Sequence, residues 1–394
     1  MHIILIILIL LLCVGFFITE KMALSQIPVS LPLVPRGTKA MLPHGGLPEI
    51  FPPYLIDLIN QTGGPDGPIG RQFVARPELE AKYYKVGMKD PLMEDEHEVA
   101  PGLVYKYQSN INGTKKFTYY GRALWTITRY CAAYCRFCTR GREVGITAGQ
   151  TGTSSAALSH TPHLLMDQIN ETLSFIEKQP GLNEIILSGG DPLTVNPKTL
   201  HYVLGKLGEL QWKGKLQIVR IGTRVPVHNP LILREDHYEA IKQLHNPRMM
   251  VHINHPLELT PQTLNVLEKF RRECAGIVMS QTVLLAGVND SVETLYQLFT
   301  KLASEGVVPY YVFQNDAVYW AKHFTVPLPK AIKMWQKLRP MLSGVAATAR
   351  FVIDVAKGYG KIPLPEGDAW EVNYLKGFKD FKGKRFSMNY AKGK

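Results

Sequence analysis

Thr128-Arg-Tyr-Cys131-Ala-Ala-Tyr-Cys135-Arg-Phe-Cys138-Thr139-Arg140 sets three cysteines at the spacing C-x-x-x-C-x-x-C, directly after a candidate strand, Leu124–Arg129. Three thiolates can hold three irons of a four-iron, four-sulfur cluster and leave the fourth iron without a protein ligand. An open coordination position separates a catalytic metal site from a structural one. Two plainer readings compete, a zinc site and a chance cluster in a strand-to-loop turn. Zinc normally takes four closed ligands in short paired spacings. Only two other cysteines exist, Cys13 in an apolar leader and Cys274 near a candidate helix end.

Working outward from this loop, short apolar runs alternate with amphipathic segments. The pattern predicts strands over 124–129, 184–187, 217–221, 249–253, 276–282, 309–314 and 350–355. It predicts helices over 163–178, 197–210, 236–245, 260–273, 291–305 and 328–342. Helix starts are marked by cap residues, Thr260 before Pro261 and Asp290 before Ser291. Such alternation argues for a parallel sheet. Six or seven units are too few to close an eight-fold barrel. The expected fold is α/β: an open, partial (β/α) barrel over 116–365, preceded by an irregular, mainly helical N-terminal extension over 22–115. An apolar leader (1–21) and a basic C-terminal tail (366–394) flank these. The cysteines, Gly189-Gly190-Asp191-Pro192, Asn254-His255-Pro256 and Gln314-Asn315-Asp316 all fall at or just past strand ends, the rim where α/β barrels build active sites.

The 394 residues suffice for one large barrel domain, and 45% apolar content supplies its core. Five cysteines with three clustered do not read as a disulfide framework. A reduced, cytoplasmic compartment is expected, because cluster thiolates must stay free. The net charge of +12 permits acidic partners or membrane surfaces. Many of the cations lie after Lys376, however, and no nucleic-acid-binding signature accompanies them. Residues 3–18 are continuously apolar, short of the ~20 residues of a membrane span. They read as a misassigned start, with Met22 the true one, or as a weak membrane anchor.

From about Asp90 to Pro365 the chain resembles the lysine 2,3-aminomutase family of radical S-adenosylmethionine enzymes. The landmarks fall in order: Asp90-Pro-Leu, Ala100-Pro-Gly-Leu-Val-Tyr-Lys-Tyr107, the cysteine run with Phe137 before its last cysteine, and Leu187-Ser-Gly-Gly-Asp-Pro-Leu193. Then follow Arg220-Ile-Gly-Thr-Arg-Val-Pro226, His252-Ile-Asn-His-Pro256 and Gln281-Thr-Val-Leu-Leu-Ala-Gly-Val-Asn-Asp290. Pro309-Tyr-Tyr-Val-Phe-Gln-Asn-Asp316 and Phe351-Val-Ile-Asp354 with Gly358-Tyr-Gly-Lys-Ile-Pro363 complete the set. Each alone is weak, since a Gly-Gly-Asp-Pro run is often only a turn. Their order makes the signal specific.

The resemblance implies a partial barrel of radical S-adenosylmethionine type and an isomerase with three cofactors. These are a [4Fe-4S] cluster on Cys131, Cys135 and Cys138, S-adenosylmethionine, and pyridoxal 5′-phosphate. Gly189, Gly190 and Asp191 lie in the segment that receives the amino group of S-adenosylmethionine, and His252 and Gln281 match positions that contact it. Two glycines also let backbone approach a ligand closely, whereas His252 taken alone reads as a hydrogen-bonded strand-end histidine. Lys361, behind a glycine-rich turn, matches the lysine that carries pyridoxal phosphate as a Schiff base. Arg122 matches an arginine for its phosphate. Lys106 replaces the usual arginine near Tyr107, and a polar stretch, Gln108–Gly121, intervenes.

Arg140 matches the arginine that binds the substrate carboxylate, a task suited to its planar fork. Asp316 and Asp354 match two aspartates that hold the distal ammonium of lysine, which points to a basic amino acid. The plainer reading has Asp316 capping the next segment and Asp354 paired with a nearby lysine such as Lys357. The expected reaction moves the α-amino group of a basic amino acid, L-lysine first, to the β-carbon. Arginine, ornithine or a protein-attached lysyl group are alternatives. An iron–sulfur electron-transfer or assembly protein is the alternative of a different class, but it has no use for Lys361, Arg140 or the aspartates. An electron donor such as flavodoxin or ferredoxin and a homo-oligomer are the expected partners, with no nucleic acid. Phe313 stands where lysine-using relatives have tyrosine, and Ser291 where they have a zinc-binding cysteine, so the oligomeric state does not carry over.

Overall fold

Ten strands lie side by side in chain order, with both edges open. The computed structural model describes residues 47–83, 86–105, 121–144, 163–355 and 360–364, and two short strands at 378–379 and 385–386. The apolar leader, the stretch 106–120 and most of the basic tail lie outside the described residues. No helix among the described residues is long and apolar enough to cross a membrane.

The strands are β1 (Glu98–Ala100), β2 (Leu103–Tyr105), β3 (Arg122–Thr128), β4 (Glu184–Gly189) and β5 (Ile218–Thr223). They continue with β6 (Arg248–His252), β7 (Ile277–Leu284), β8 (Val308–Gln314), β9 (Arg350–Val355) and β10 (Gly360–Pro363). Strands β3 to β9 pair in parallel, each with the next in sequence. The connections carry α4 (Met166–Lys178), α5 (Pro197–Trp212), α7 (Glu235–Ile241), α8 (Pro261–Glu273), α9 (Val292–Ser304) and α10 (Leu328–Leu338). The short α6 (Val225–His228) precedes α7, and α1 (Pro53–Gln61), α2 (Gly70–Phe73) and α3 (Pro77–Lys82) form the N-terminal part. This is the open α/β partial barrel expected, with all seven anticipated strands in place.

Local chemistry explains the boundaries. Strand β7 alternates buried and half-buried residues along its length, the period of a strand with two unlike faces. Asn196 and Thr260 cap α5 and α8 by accepting hydrogen bonds from Lys198 N (2.9 Å) and Thr263 N (3.2 Å). At α9 the cap is Ser291, whose Oγ accepts from Thr294 N at 3.1 Å, rather than Asp290. Asp290 instead accepts from Gly287 N and pairs with Lys330. The main core lies between sheet and helices, with Trp125, Phe270, Phe299, Trp335 and Phe351 fully buried.

The sheet extends beyond the 116–365 unit read from sequence. Strands β1 and β2, inside the N-terminal extension, continue it antiparallel from β3. At the other edge β10 pairs antiparallel with β9, so Lys361 lies on a strand, not simply behind a turn.

Candidate active site

One cavity of about 320 Å³ opens at the strand ends. Its wall includes all thirteen residues singled out from the sequence: Cys131, Cys135, Cys138, Arg122, Arg140, Gly189, Gly190, Asp191, His252, Gln281, Asp316, Asp354 and Lys361. They come from seven strands or the loops that follow them, which places their convergence in the fold rather than in any local motif.

The cysteine loop leaves β3 and is gripped from two sides. Phe137 packs edge-on against His252 and Phe324 with centroids 5.7 and 5.6 Å apart. On the other side Ala133 and Cys135 meet Leu55, Ile59 and Phe73 of the N-terminal helices. Between two of the cysteines, Arg136 is fully buried and pairs through Nε and Nη2 with Glu80 of α3, and donates to Leu47 O at 2.7 Å. The N-terminal helices are thereby bolted to the loop.

All three thiols are free. Burial holds Cys131 well above its ordinary range and pushes Cys138 up to about 12. Such sulfurs become thiolates only against a compensating cation, and an iron–sulfur core provides one. Among the described residues, no three His, Cys, Asp or Glu side chains converge as ligands of a single ion. A four-iron cluster asks instead for each thiolate to meet its own iron. Three free cysteine thiols on one loop at the cavity wall are the donor set such a cluster takes.

Gly189 and Gly190 have a more immediate duty than ligand approach. Gly189 has φ +125°, and a Cβ there would lie 2.1 Å from Thr128 O; one on Gly190 would lie 2.1 Å from Tyr130 O. Their backbone is laced to the loop entry by Gly190 N to Thr128 O (2.7 Å) and Asp191 N to Tyr130 O (2.8 Å). Asp191 lines the cavity, but its carboxylate is turned onto Thr223 Oγ1 and the backbone N–H groups of Leu193, Arg224 and Val225. Burial nevertheless pushes it up to about 6.

His252 ends β6 beside Gln281 of β7, its register partner. Burial and the nearby Arg224 charge hold its ring far below the usual histidine range, so it is neutral. Asn254 Oδ1 accepts from Val283 N, which fixes that atom as oxygen, and it lies 2.9 Å from His252 Nε2. The imidazole therefore donates from Nε2 and keeps Nδ1 as an acceptor.

The groups read as substrate ligands already hold partners. Arg140 presents Nε and Nη2 to Glu94 at 2.7 and 2.8 Å, and Nη1 to Ser188 Oγ at 3.2 Å. Asp316 accepts from Oγ1 of Thr139, the residue next to Cys138. Asp354 sits opposite Lys361 across β9–β10 and binds its ammonium at 2.6 Å. Asp354 thus has a lysine partner, Lys361; Lys357, the neighbour suggested from the sequence, lies outside the described residues. Lys361 Nζ lies 5.0 Å from the Phe313 ring centroid and 5.8 Å from that of Tyr311. Behind Arg140, Arg142 gathers Asp90, Asp95 and Glu143 within 3.1 Å. Burial there pushes Glu143 up to about 7.

Sequence reasoning assigned no role to Glu94, Ser188, Arg220, Arg224 or His228, which also line the cavity. Three of them, Ser188, Arg220 and Arg224, stand inside landmarks whose signal lies in their order.

Residues 125–299 match the model of the radical SAM superfamily. Across 313 residues the chain is 33% identical to L-lysine 2,3-aminomutase of Clostridium subterminale, covering 79% of this chain and 67% of that one. It is 32% identical over 338 residues to L-lysine 2,3-aminomutase of Acetoanaerobium sticklandii, covering 85% of this chain and 73% of the relative. Glutamate 2,3-aminomutase of Clostridioides difficile is 30% identical over 273 residues, covering 69% of this chain and 60% of its own length.

Proposed function

The chain belongs to the lysine 2,3-aminomutase family of radical S-adenosylmethionine enzymes, isomerases that use a [4Fe-4S] cluster, S-adenosylmethionine and pyridoxal 5′-phosphate, and we propose that it moves the α-amino group of L-lysine to the β-carbon. When bound, the cluster with S-adenosylmethionine supplies a radical able to take and return a hydrogen atom, and pyridoxal phosphate supplies a carbonyl and a conjugated ring for the migrating amino group.

The protein's own share is holding and shielding. Cys131, Cys135 and Cys138 hold the cluster by three corners. His252 Nδ1 is an acceptor for an ammonium group, and it stands with Gln281 and the Gly189–Gly190 backbone as the S-adenosylmethionine wall. Lys361 is the amine for pyridoxal phosphate, and Arg122, at the start of β3, is a cation for its phosphate. Arg140 uses its Nε/Nη2 edge on Glu94 and directs Nη1 towards Ser188 on the cavity wall, the side from which a substrate carboxylate can be met. Asp316 and Asp354 hold the distal ammonium, and Tyr311 and Phe313 give the aliphatic stem an apolar wall. An external one-electron carrier of the flavodoxin or ferredoxin kind serves as reductant.

One observation carries the choice of a basic side chain: Asp354 binds a primary ammonium, that of Lys361, at 2.6 Å inside the cavity. Two aspartates in the same cavity disfavour a dicarboxylic substrate by like-charge repulsion. The test is anaerobic incubation of the reconstituted protein with lysine, arginine, ornithine, glutamate and a lysyl peptide, followed by analysis for β-amino acids. β-Lysine is expected. Conversion of glutamate in its place, or no β-amino acid from any of the five, overturns the reading.

A further inference from the structure

At the cluster end of the cavity one guanidinium is mounted with no room to turn away. Arg224 follows β5 and is 5% exposed. Its Nη1 donates to Cys135 Sγ at 2.8 Å. Nη2 donates to Gln72 Oε1 and, at 3.1 Å, to Glu258 Oε1. The guanidinium carbon lies 4.5 Å from the Phe73 ring centroid and 5.5 Å from that of Phe137. Gln72, Asn254 and Glu258 are completely buried and bonded to one another. Gln72 Nε2 donates to Glu258 Oε1 at 2.7 Å, Asn254 N to Glu258 Oε2 at 2.7 Å, and Asn254 Nδ2 to Gln72 Oε1 at 2.9 Å. The network reaches from three separate regions of the chain to one sulfur.

An arginine does not lose its proton in a protein, so this is a permanent positive charge beside one of the three thiols. A buried cluster on three thiolates is anionic overall, and adding an electron to it is opposed by that charge. Hydrogen bonds to cluster sulfurs and the net charge nearby set the potential of such centres. We propose that Arg224 tunes the cluster: by donating to Cys135 Sγ it raises the reduction potential, and Gln72, Asn254 and Glu258 are the mount that keeps it on the sulfur. In the step concerned the cluster core gains one electron from an external one-electron carrier and passes from the 2+ to the 1+ state. No proton moves, and the charge of Arg224 is the same before and after. The inference rests on the family's cluster and not on the amino acid substrate. A protein that loads the cluster and isomerises nothing leaves it standing.

The test is a redox titration, monitored by electron paramagnetic resonance, of the full chain reconstituted with iron and sulfide, without S-adenosylmethionine. Iron and sulfide content per chain establish loading. Arg224→Gln is expected to make the midpoint more negative, and Arg224→Lys to recover most of the shift because it keeps the charge. Glu258→Gln removes the counter-anion and is expected to move the midpoint the other way. A fully loaded Arg224→Gln protein with the wild-type midpoint overturns the proposal. Should Arg224→Gln fail to load, the Glu258→Gln protein decides, and a null or negative shift there overturns the proposal equally.

Discussion

The two ends of the cavity hold their charges in different ways. At the cluster end the ion pairs are sealed: Arg136–Glu80 and Arg224–Glu258 have side chains no more than 5% exposed, and each is enclosed by further hydrogen bonds. At the substrate end the pairs are provisional. Lys361 and Asp354 are 26% and 17% exposed, and each is also expected to engage a ligand. The first arrangement fixes geometry. The second keeps charged groups compensated until an incoming ammonium or carboxylate exchanges with the resident partner, which costs less than opening a bare buried charge.

The largest effect expected from perturbing this contrast is at Lys361. Lys361→Ala abolishes β-amino acid formation and the borohydride-trapped pyridoxal adduct, while iron content stays at wild type because the cluster end is untouched. Retained activity would remove the lysine from its assigned place. Next, Arg136→Met strands Glu80 as an uncompensated buried charge and is expected to destabilise by about 3–5 kcal/mol. In thermal unfolding of a chain of 394 residues this lowers the midpoint by about 5 °C. Adding Glu80→Leu should restore much of the loss, since replacing both partners of a buried pair is often neutral. No restoration would show that the pair itself, and not the stranded charge, holds α3 to the loop.

Asp354→Asn tests the provisional end more gently. It should reduce kcat/KM for lysine by about 100-fold, roughly 2.7 kcal/mol, without moving the cluster's absorbance. An unchanged kcat/KM would restrict Asp354 to serving Lys361. The smallest effect concerns Glu143, raised to about 7 by burial from an ordinary value of 4.5. Below pH 4.5 the acid is protonated folded and unfolded, so burial adds nothing. Through the window up to 7 the unfolded chain ionises first, and stability falls as pH rises. Glu143→Gln is therefore expected to be more stable than wild type at pH 8 and equal to it at pH 4. Unfolding midpoints at the two pH values check this.

Much of this architecture was legible because buried parallel strands write themselves as apolar runs between turn signals. Strands β3 to β9 fell within a few residues of expectation for that reason. Strands β1, β2 and β10 did not announce themselves, since three or four residues carry no readable period. The Asp290 and Ser291 pair shows a finer limit. Both are good cap residues, and only the backbone geometry decides that Ser291 caps while Asp290 turns to Lys330. At the site, the ordered landmarks led to thirteen residues on one cavity wall. Their partners stayed hidden: Glu94 meets Arg140 across 46 residues, and Arg224 meets Cys135 across 89. No local pattern encodes a contact at that separation.

The facing of Lys361 and Asp354 across β9 and β10 has one more implication. Side chains on a strand alternate between faces, so a single inserted or deleted residue between these two would swing one of them out of the cavity. The seven-residue interval is therefore a ruler. Variants that change which amino acid this scaffold accepts are free to alter the residue at position 354, but not its distance along the chain from position 361.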